Sequence, residues 1–325
     1  MPSILTHSYF MKDVYDKLPL DKKVFLQTEE KKINFFSQGI DLLQYYHCYN
    51  KQKQKKIKNF YNYFHKNKTS EFLITMVNYI KYNYYKDNPE IMIMLYSLIS
   101  HYVLDYKLNP FIYYKSGIYI KNNKTTHKYN SKLLETNSFV DSYLIKLKEK
   151  IIPYKYKHYK EIFSTPTLSK ETTEVIDFCF KETYNINNFS ITWLNSIKKT
   201  KTFYKLLRYD PKGIKKNIYT ILDKISIKKD KKRIFLSYKN LNNQNDYLNL
   251  SKKTWCYPTN KRKKSNKSFI ELYIEAISDT INIIENVNQY IYENKKTNLK
   301  KIFKDYSYIT GTDLKKSQEM KYFEI

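Results

Sequence analysis

Apolar residues recur along this chain at spacings of three and four, the pattern of amphipathic helices. It predicts helices at about 8–18, 22–36, 59–84, 131–150, 170–183, 188–208, 212–225 and 266–294. Another helix begins at Asn88-Pro89-Glu90, a good start signal, and we expect it to end near Leu108, where Asn109-Pro110 follows. The stretch 110–130 is predicted to be a polar loop, and the charged stretch 228–265 a long one.

Glycine and proline are scarce, with 4 and 8 residues among 325. This scarcity disfavours turn-rich β architectures and favours long helices joined by short polar loops. We therefore expect an all-α fold in which residues 1–325 form one continuous helical domain.

The formal charge of +28 suggests a polyanion partner, but its make-up weakens that suggestion. Arginine, which suits phosphate and guanine best, occurs only at Arg208, Arg233 and Arg262. The lysines are spread along the chain, which is also rich in Asn, Ile and Tyr, residues whose codons are AT-rich like those of lysine. We attribute most of the charge to coding bias, and we expect binding to polyanions at low salt without specific recognition of nucleic acid.

The three cysteines, Cys48, Cys179 and Cys256, are isolated, so neither a disulfide framework nor a thiolate zinc site is predicted. The N-terminal residues lack the apolar stretch of a secretory signal, and the most apolar run, 91–104, is too short to cross a bilayer. These features predict a cytoplasmic protein.

Among the six histidines, His101 is the most informative, because Asp105 follows it by one helical turn. An imidazole and a carboxylate on one helix face can share a divalent ion. They can equally be a hydrogen-bonded pair inside the core, and their spacing alone leaves both interpretations open. His127 and His158 have lysine-rich surroundings and are predicted to lie at the surface.

An ordered series of short motifs resembles the zinc-dependent phospholipase C family. The series comprises Thr6-His7, Gly39-Ile40-Asp41, Phe64-His65, His101-x-x-x-Asp105 and Asn109-Pro110. Further along, Phe203–Leu207 and Tyr257-Pro258 with the helix after it are similar to the later part of that family. The resemblance covers about residues 3–295, and it implies a fold of the phospholipase C/P1 nuclease type.

The resemblance implies a zinc cluster that hydrolyses a phosphodiester. The implied metal ligands are His7, His65, His101 and Asp105, with Asp105 bridging two ions, and Asp41 is the implied general base or water-orienting group. The metal site would fall within about 1–150, and the helices of about 165–305 would support it.

The sequence departs from the family at all three ligands of one metal. Asn109 stands where the family has histidine, and Leu133 and Asn137 occupy the places of a His-x-x-x-Glu pair. Leucine cannot bind a metal and neutral asparagine is a poor zinc ligand. His127 or Glu135 could replace them only through a shift of register. We therefore expect one or two zinc ions rather than three.

Three functions remain open at this point. The first is a zinc-binding phospholipase C/D-like hydrolase acting on a phosphodiester, with phospholipids among the candidate substrates. Lysine clusters at 51–58 and 261–267 would suit contact with an anionic membrane. The second is a catalytically degenerate helical scaffold or binding protein of the same family. The third is a basic nucleic-acid-binding protein, which would need no metal and would lose affinity steeply with salt.

Overall fold

The computed structural model describes residues 2–46, 50–120, 123–129, 131–164, 166–225, 233–237, 246–293, 295, 297–316 and 319–324, and it confirms an all-α protein. The helices in chain order are α1 (Ile4–Lys17), α2 (Leu20–Leu26), α3 (Ile33–Phe36), α4 (Lys51–Phe64), α5 (Thr69–Tyr82), α6 (Pro89–Ser116), α7 (Lys132–Glu149), α8 (His158–Glu161), α9 (Lys170–Tyr184), α10 (Phe189–Leu206), α11 (Ile214–Ile225), α12 (Phe269–Tyr292) and α13 (Leu299–Ile302). Short 3-10 helices lie at Gln27–Lys32, Gly39–Tyr45, Tyr85–Asp87, Lys124–Tyr129, Pro153–Lys155, Arg233–Leu236 and Leu314–Lys316.

The long helix α6 is the centre of the molecule. It begins where expected, because the Asn88 side chain accepts hydrogen bonds from the amides of Glu90 and Ile91 and Pro89 occupies the first turn. Most of its side chains are buried, and α1, α3, α7 and α12 pack around it. Buried apolar residues from Ile4 to Tyr308 form one contiguous cluster. Two of the candidate site residues, His101 and Asp105, therefore sit on the buried face of this central helix.

The predicted end of this helix at Asn109-Pro110 is wrong, because α6 continues to Ser116. Proline lacks an amide hydrogen and leaves the carbonyl of Tyr106 without its usual helical partner. Gly311 covers that carbonyl so closely that a Cβ at residue 311 would lie 2.2 Å from its oxygen. A turn from the C-terminal part of the chain thus packs against the proline-containing segment of the helix. The predicted loop at 110–130 consequently begins only at Gly117.

The predicted long loop at 228–265 is wrong for its last part, where β1 (Trp255–Tyr257) pairs antiparallel with β2 (Asn260–Ser265). Trp255 is buried against Phe111, and its indole donates to the carbonyl of Lys267. The buried indole fixes β1 on α6, while the charged side chains of β2 face solvent. Residues 226–232 and 238–245 of this stretch lie outside the described residues.

Within the part of the chain that the structure describes, no helix combines the length and apolar character needed to cross a bilayer.

Candidate metal centre

Four separate segments bring the five predicted site residues together. His7 lies on α1, Asp41 in the 3-10 helix Gly39–Tyr45, His65 directly after α4, and His101 and Asp105 on α6. None of the five is more than 2% exposed. Titratable side chains so deeply buried require compensating partners, which makes their mutual geometry informative.

The five side chains form two overlapping groups that share His101. In the first, His7 Nε2 lies 3.5 Å from Asp105 Oδ1, and His101 Nε2 lies 3.5 Å from Asp105 Oδ2. In the second, His65 Nε2 lies 3.3 Å from Asp41 Oδ1. One ligand atom from each of His7, His101 and Asp105, and likewise of Asp41, His65 and His101, falls within 4.8 Å of the others. Either group is compact enough to hold one metal ion.

The backbone fixes which nitrogen two of the imidazoles direct into the centre. His101 Nδ1 lies 3.0 Å from the carbonyl oxygen of Ser37, and His65 Nδ1 lies 2.7 Å from that of Tyr61. A carbonyl only accepts, so both Nδ1 atoms carry the hydrogen. In the neutral rings Nε2 then presents a lone pair to the centre, as in histidines oriented for metal binding.

Several ligand atoms of the centre have no hydrogen-bond partner among the described residues. They are both ring nitrogens of His7, Nε2 of His65 and His101, and both carboxylate oxygens of Asp105. Nitrogen lone pairs and carboxylate oxygens thus face one another without a well-aligned hydrogen bond between them. A cation bound among them would relieve this repulsion and compensate their burial.

The electrostatics keep His101 and Asp41 in metal-binding form. Burial and the nearby His7 lower the pKa of His101 to about 4, so its ring is neutral at neutral pH. Burial alone would raise the pKa of Asp41, but the approach of His65 and the nearby His101 and His7 hold it at about 2. The Tyr61 hydroxyl also donates to Asp41 Oδ1 over 3.3 Å. Asp41 is therefore a carboxylate, suited to bind a cation or to accept a proton.

Gly39 has no side chain and so leaves room for the His101 ring. Its φ of +50° lies in the left-handed region, and a Cβ there would be 3.0 Å from the His101 ring at Cδ2 and Nε2. The glycine of Gly39-Ile40-Asp41 thus lets this turn bring Asp41 beside His101. Proline is not needed at residue 40, where isoleucine is buried in the core instead.

Asp141 on α7 holds the start of α1. Its carboxylate accepts hydrogen bonds from the hydroxyls of Ser3 and Thr6, and Ser3 caps α1 by accepting from the amide of Thr6. His7 follows in the same turn, stacked on His101 with a centroid distance of 4.2 Å. The position of His7 therefore depends on a helix far away in sequence.

The three residues expected to have lost a metal ligand do not form a replacement site. Asn109 is buried and donates over 2.6 Å to the carbonyl of Tyr308, while Leu133 and Asn137 line a cavity of about 670 Å³. Glu135 accepts a hydrogen bond from Tyr247, and neither it nor His127 joins either metal-competent group among the described residues.

The cavity reaches the metal centre at Asp41, which is part of its lining. Tyr61, Tyr113, Phe235 and Leu236 also line it. Its size suits a small organic ligand. Asp41 is thus placed between the buried histidines and a space where a substrate could bind.

Sequence reasoning missed the C-terminal segment, which closes the other side of the centre. The Tyr308 ring lies 5.3 Å from that of His65 and 5.7 Å from that of His101, and its amide donates to the carbonyl of His65. Tyr308 is 2% exposed. No motif marks it, and the resemblance ends near residue 295. Alternating Tyr and Ser in a polar stretch gives no signal for burial, so only the folded chain shows this role.

The remaining chemistry-bearing residues lie elsewhere. His127 and His158 are half-buried rather than fully at the surface, and the His127 ring lies 5.4 Å from that of Tyr119. Cys179 is buried and Cys256 is partly exposed, and both are free cysteines. His47 and Cys48 lie outside the described residues.

Comparisons with models of known families, with characterised proteins and with solved structures find no match for this chain. The resemblance to the zinc-dependent phospholipase C family therefore remains a prediction from the motifs.

Proposed function

We propose that this protein is a zinc-binding phosphodiester hydrolase of the phospholipase C/P1 nuclease type, with one or two zinc ions in the buried His/Asp centre. The observation that carries the proposal is the convergence of unsatisfied imidazole nitrogens and carboxylate oxygens from four segments of the chain. Nitrogen and carboxylate ligands in a compact group suit zinc.

His7, His101 and Asp105 would hold one ion. The single inward nitrogen of His101 binds one ion only, so His65 is the histidine left for a second. Zinc in such a site supplies Lewis-acid stabilisation of phosphate charge and acidifies water. The chain's own contribution is to fix the imidazoles through Ser37 and Tyr61 and to exclude water from their back faces. Asp41 lines the cavity as a carboxylate, and we assign it the role of accepting a proton from an attacking water.

The test is hydrolysis of bis(p-nitrophenyl) phosphate by tag-free protein, with and without added zinc. We expect zinc-dependent hydrolysis that falls by about 100-fold or more in Asp41→Asn, within the range for loss of general-base catalysis. His127→Ala, which removes a histidine outside the centre, is the matched control and should retain full activity. Zinc-independent hydrolysis, or equal loss in both variants, would contradict the assignment.

A catalytically degenerate member of the family is the second candidate. It is favoured by Leu133 and Asn137, which line the cavity where the resemblance implies two further ligands. It predicts bound zinc without hydrolysis of any phosphodiester. The same assay combined with a zinc determination separates the two candidates.

A further inference from the structure

Helix α11 is strongly amphipathic. Its apolar residues recur at i, i+4, i+7, i+8 and i+11, which places them within an arc of about 100°. All five are exposed, by 58% at Ile214, 47% at Ile218, 55% at Ile221, 45% at Leu222 and 74% at Ile225. A helix in water buries such a face, and a continuous exposed stripe of this kind marks an interaction site.

The polar edges of this stripe are basic. Lys215 borders it on one side and Lys224 on the other, and Lys216 lies further around the helix. The acidic residue of α11, Asp223, is already paired, since its carboxylate accepts hydrogen bonds from the side chain and amide of Arg233. The charge that remains beside the apolar stripe is therefore positive.

The helix is also joined to the cavity that reaches Asp41. The Arg233–Asp223 pair fixes the 3-10 helix Arg233–Leu236 on α11, whose Tyr219 also bonds the hydroxyl of Ser237 over 2.7 Å. Phe235 and Leu236 in this segment line the cavity. Whatever binds the apolar stripe thus lies next to one wall of the cavity.

We propose that α11 is an interfacial helix that inserts its apolar face into an anionic lipid bilayer. A face of isoleucine and leucine bordered by lysines is the composition of helices that lie in the bilayer interface. Charge complementarity decides between occupants. A chain of net charge +28 is attracted to acidic lipid headgroups, whereas two copies of it repel each other. Binding to the bilayer is independent of the zinc centre; that the bilayer also presents the phosphodiester rests on the proposed function.

The experiment is flotation of the full chain with vesicles of phosphatidylcholine containing about one third phosphatidylserine, and with pure phosphatidylcholine vesicles. We expect binding to the anionic vesicles that weakens as salt is raised. The double variant Ile221→Asn/Ile225→Asn should lower the partition coefficient by about tenfold or more, because two apolar side chains no longer insert. Exposed isoleucines on other helices offer the matched control Ile191→Asn/Ile274→Asn, at 60% exposure each, which should bind as the wild type does.

Failure to bind anionic vesicles, or an equal loss in the control variant, would overturn the proposal. So would a wild-type dimer that the α11 double variant converts to a monomer, since the stripe would then join two copies of the chain. Two further measurements separate this proposal from the zinc proposal. His101→Ala should still bind the vesicles, and the α11 double variant should keep its zinc.

Discussion

Replacing Asp105 by asparagine tests whether Asp105 is a metal ligand or only a structural partner of the histidines. Asp105 is 0% exposed, and among the described residues neither of its carboxylate oxygens has a hydrogen-bond partner. The Nε2 atoms of His7 and His101 lie 3.5 Å from these oxygens. An amide has the same shape without the charge. In metal-free protein the substitution removes a buried carboxyl group without hydrogen-bond partners among the described residues, so we expect the free energy of unfolding to stay equal or to rise.

With zinc present, we expect the wild type to be more stable than Asp105→Asn. Free zinc at about 100 times its dissociation constant stabilises a one-site protein by about 2.7 kcal/mol. For a chain of 325 residues this raises the melting temperature by roughly 4 °C. Loss of a ligand weakens zinc binding by about 100-fold or more, since even replacing a residue that only hydrogen-bonds a ligand lowers metal affinity 10- to 100-fold. At the same zinc concentration the variant then gains only about 0.4 kcal/mol, or less than about 1 °C.

Thermal unfolding of both proteins, in chelator and in buffered zinc, measures this difference. Asp141→Asn is the useful comparison, because Asp141 is also buried but its carboxylate already has hydroxyl partners. Asp141→Asn should therefore lose stability even in chelator, where Asp105→Asn should not. The reasoning is refuted if Asp105→Asn destabilises the metal-free protein by about 2 kcal/mol or more while zinc shifts neither protein.

Three further predictions concern the surroundings of the centre. Gly39→Ala should weaken zinc binding by about tenfold or more in isothermal titration, since the new methyl group presses on the His101 ring in a left-handed backbone. Gly311→Ala should lower the free energy of unfolding by about 1–3 kcal/mol in urea titrations, because its Cβ meets the Tyr106 carbonyl. Glu90→Gln should cost about 1–3 kcal/mol at pH 7, because the 5%-exposed carboxylate accepts from Lys32 and from the amide of Ser169.

The pH dependence of the Glu90 effect has a definite sign. Burial opposes ionisation, but Lys32 and Ser169 outweigh it and lower the pKa of Glu90 below its usual value. A lowered carboxyl pKa contributes stability above the unfolded-state pKa, and this contribution is lost as the pH falls through the folded-state pKa. The difference between wild type and Glu90→Gln should therefore shrink below about pH 4.

Gly213→Ala, with nothing within 4 Å of its Cβ position, is the steric control for both glycine substitutions.

Helix positions and the members of the site were largely predictable from sequence. The buried stripe of α6 and the capping residue Asn88 are local signals, and they placed His101 and Asp105 on one enclosed face. The continuation of α6 past Pro110 was not predictable, because this segment packs against Gly311, about 200 residues further along the chain. The hairpin at 255–265 was hidden by its lysines, since β2 has little of the apolar alternation that marks a half-buried strand.

The site shows the same division between local and long-range information. Motif spacing identified the five residues, but the roles of Ser37, Asp141 and Tyr308 come from contacts between distant segments. Every residue has a backbone carbonyl, so the sequence gives no sign that the carbonyl of Ser37 orients a histidine. The exposed stripe of α11 was equally invisible, because an apolar period of this kind ordinarily predicts a buried face.

The most direct test of the zinc centre is anomalous diffraction at the zinc absorption edge from crystals of tag-free protein grown with zinc. We expect one or two anomalous peaks, at least one within about 2.0–2.2 Å of His101 Nε2 and an oxygen of Asp105 or Asp41. Crystals grown at saturating zinc that show the intact fold but no peak among His7, Asp41, His65, His101 and Asp105 would contradict the account. The cluster would then be a buried polar network in a helical protein that uses no metal.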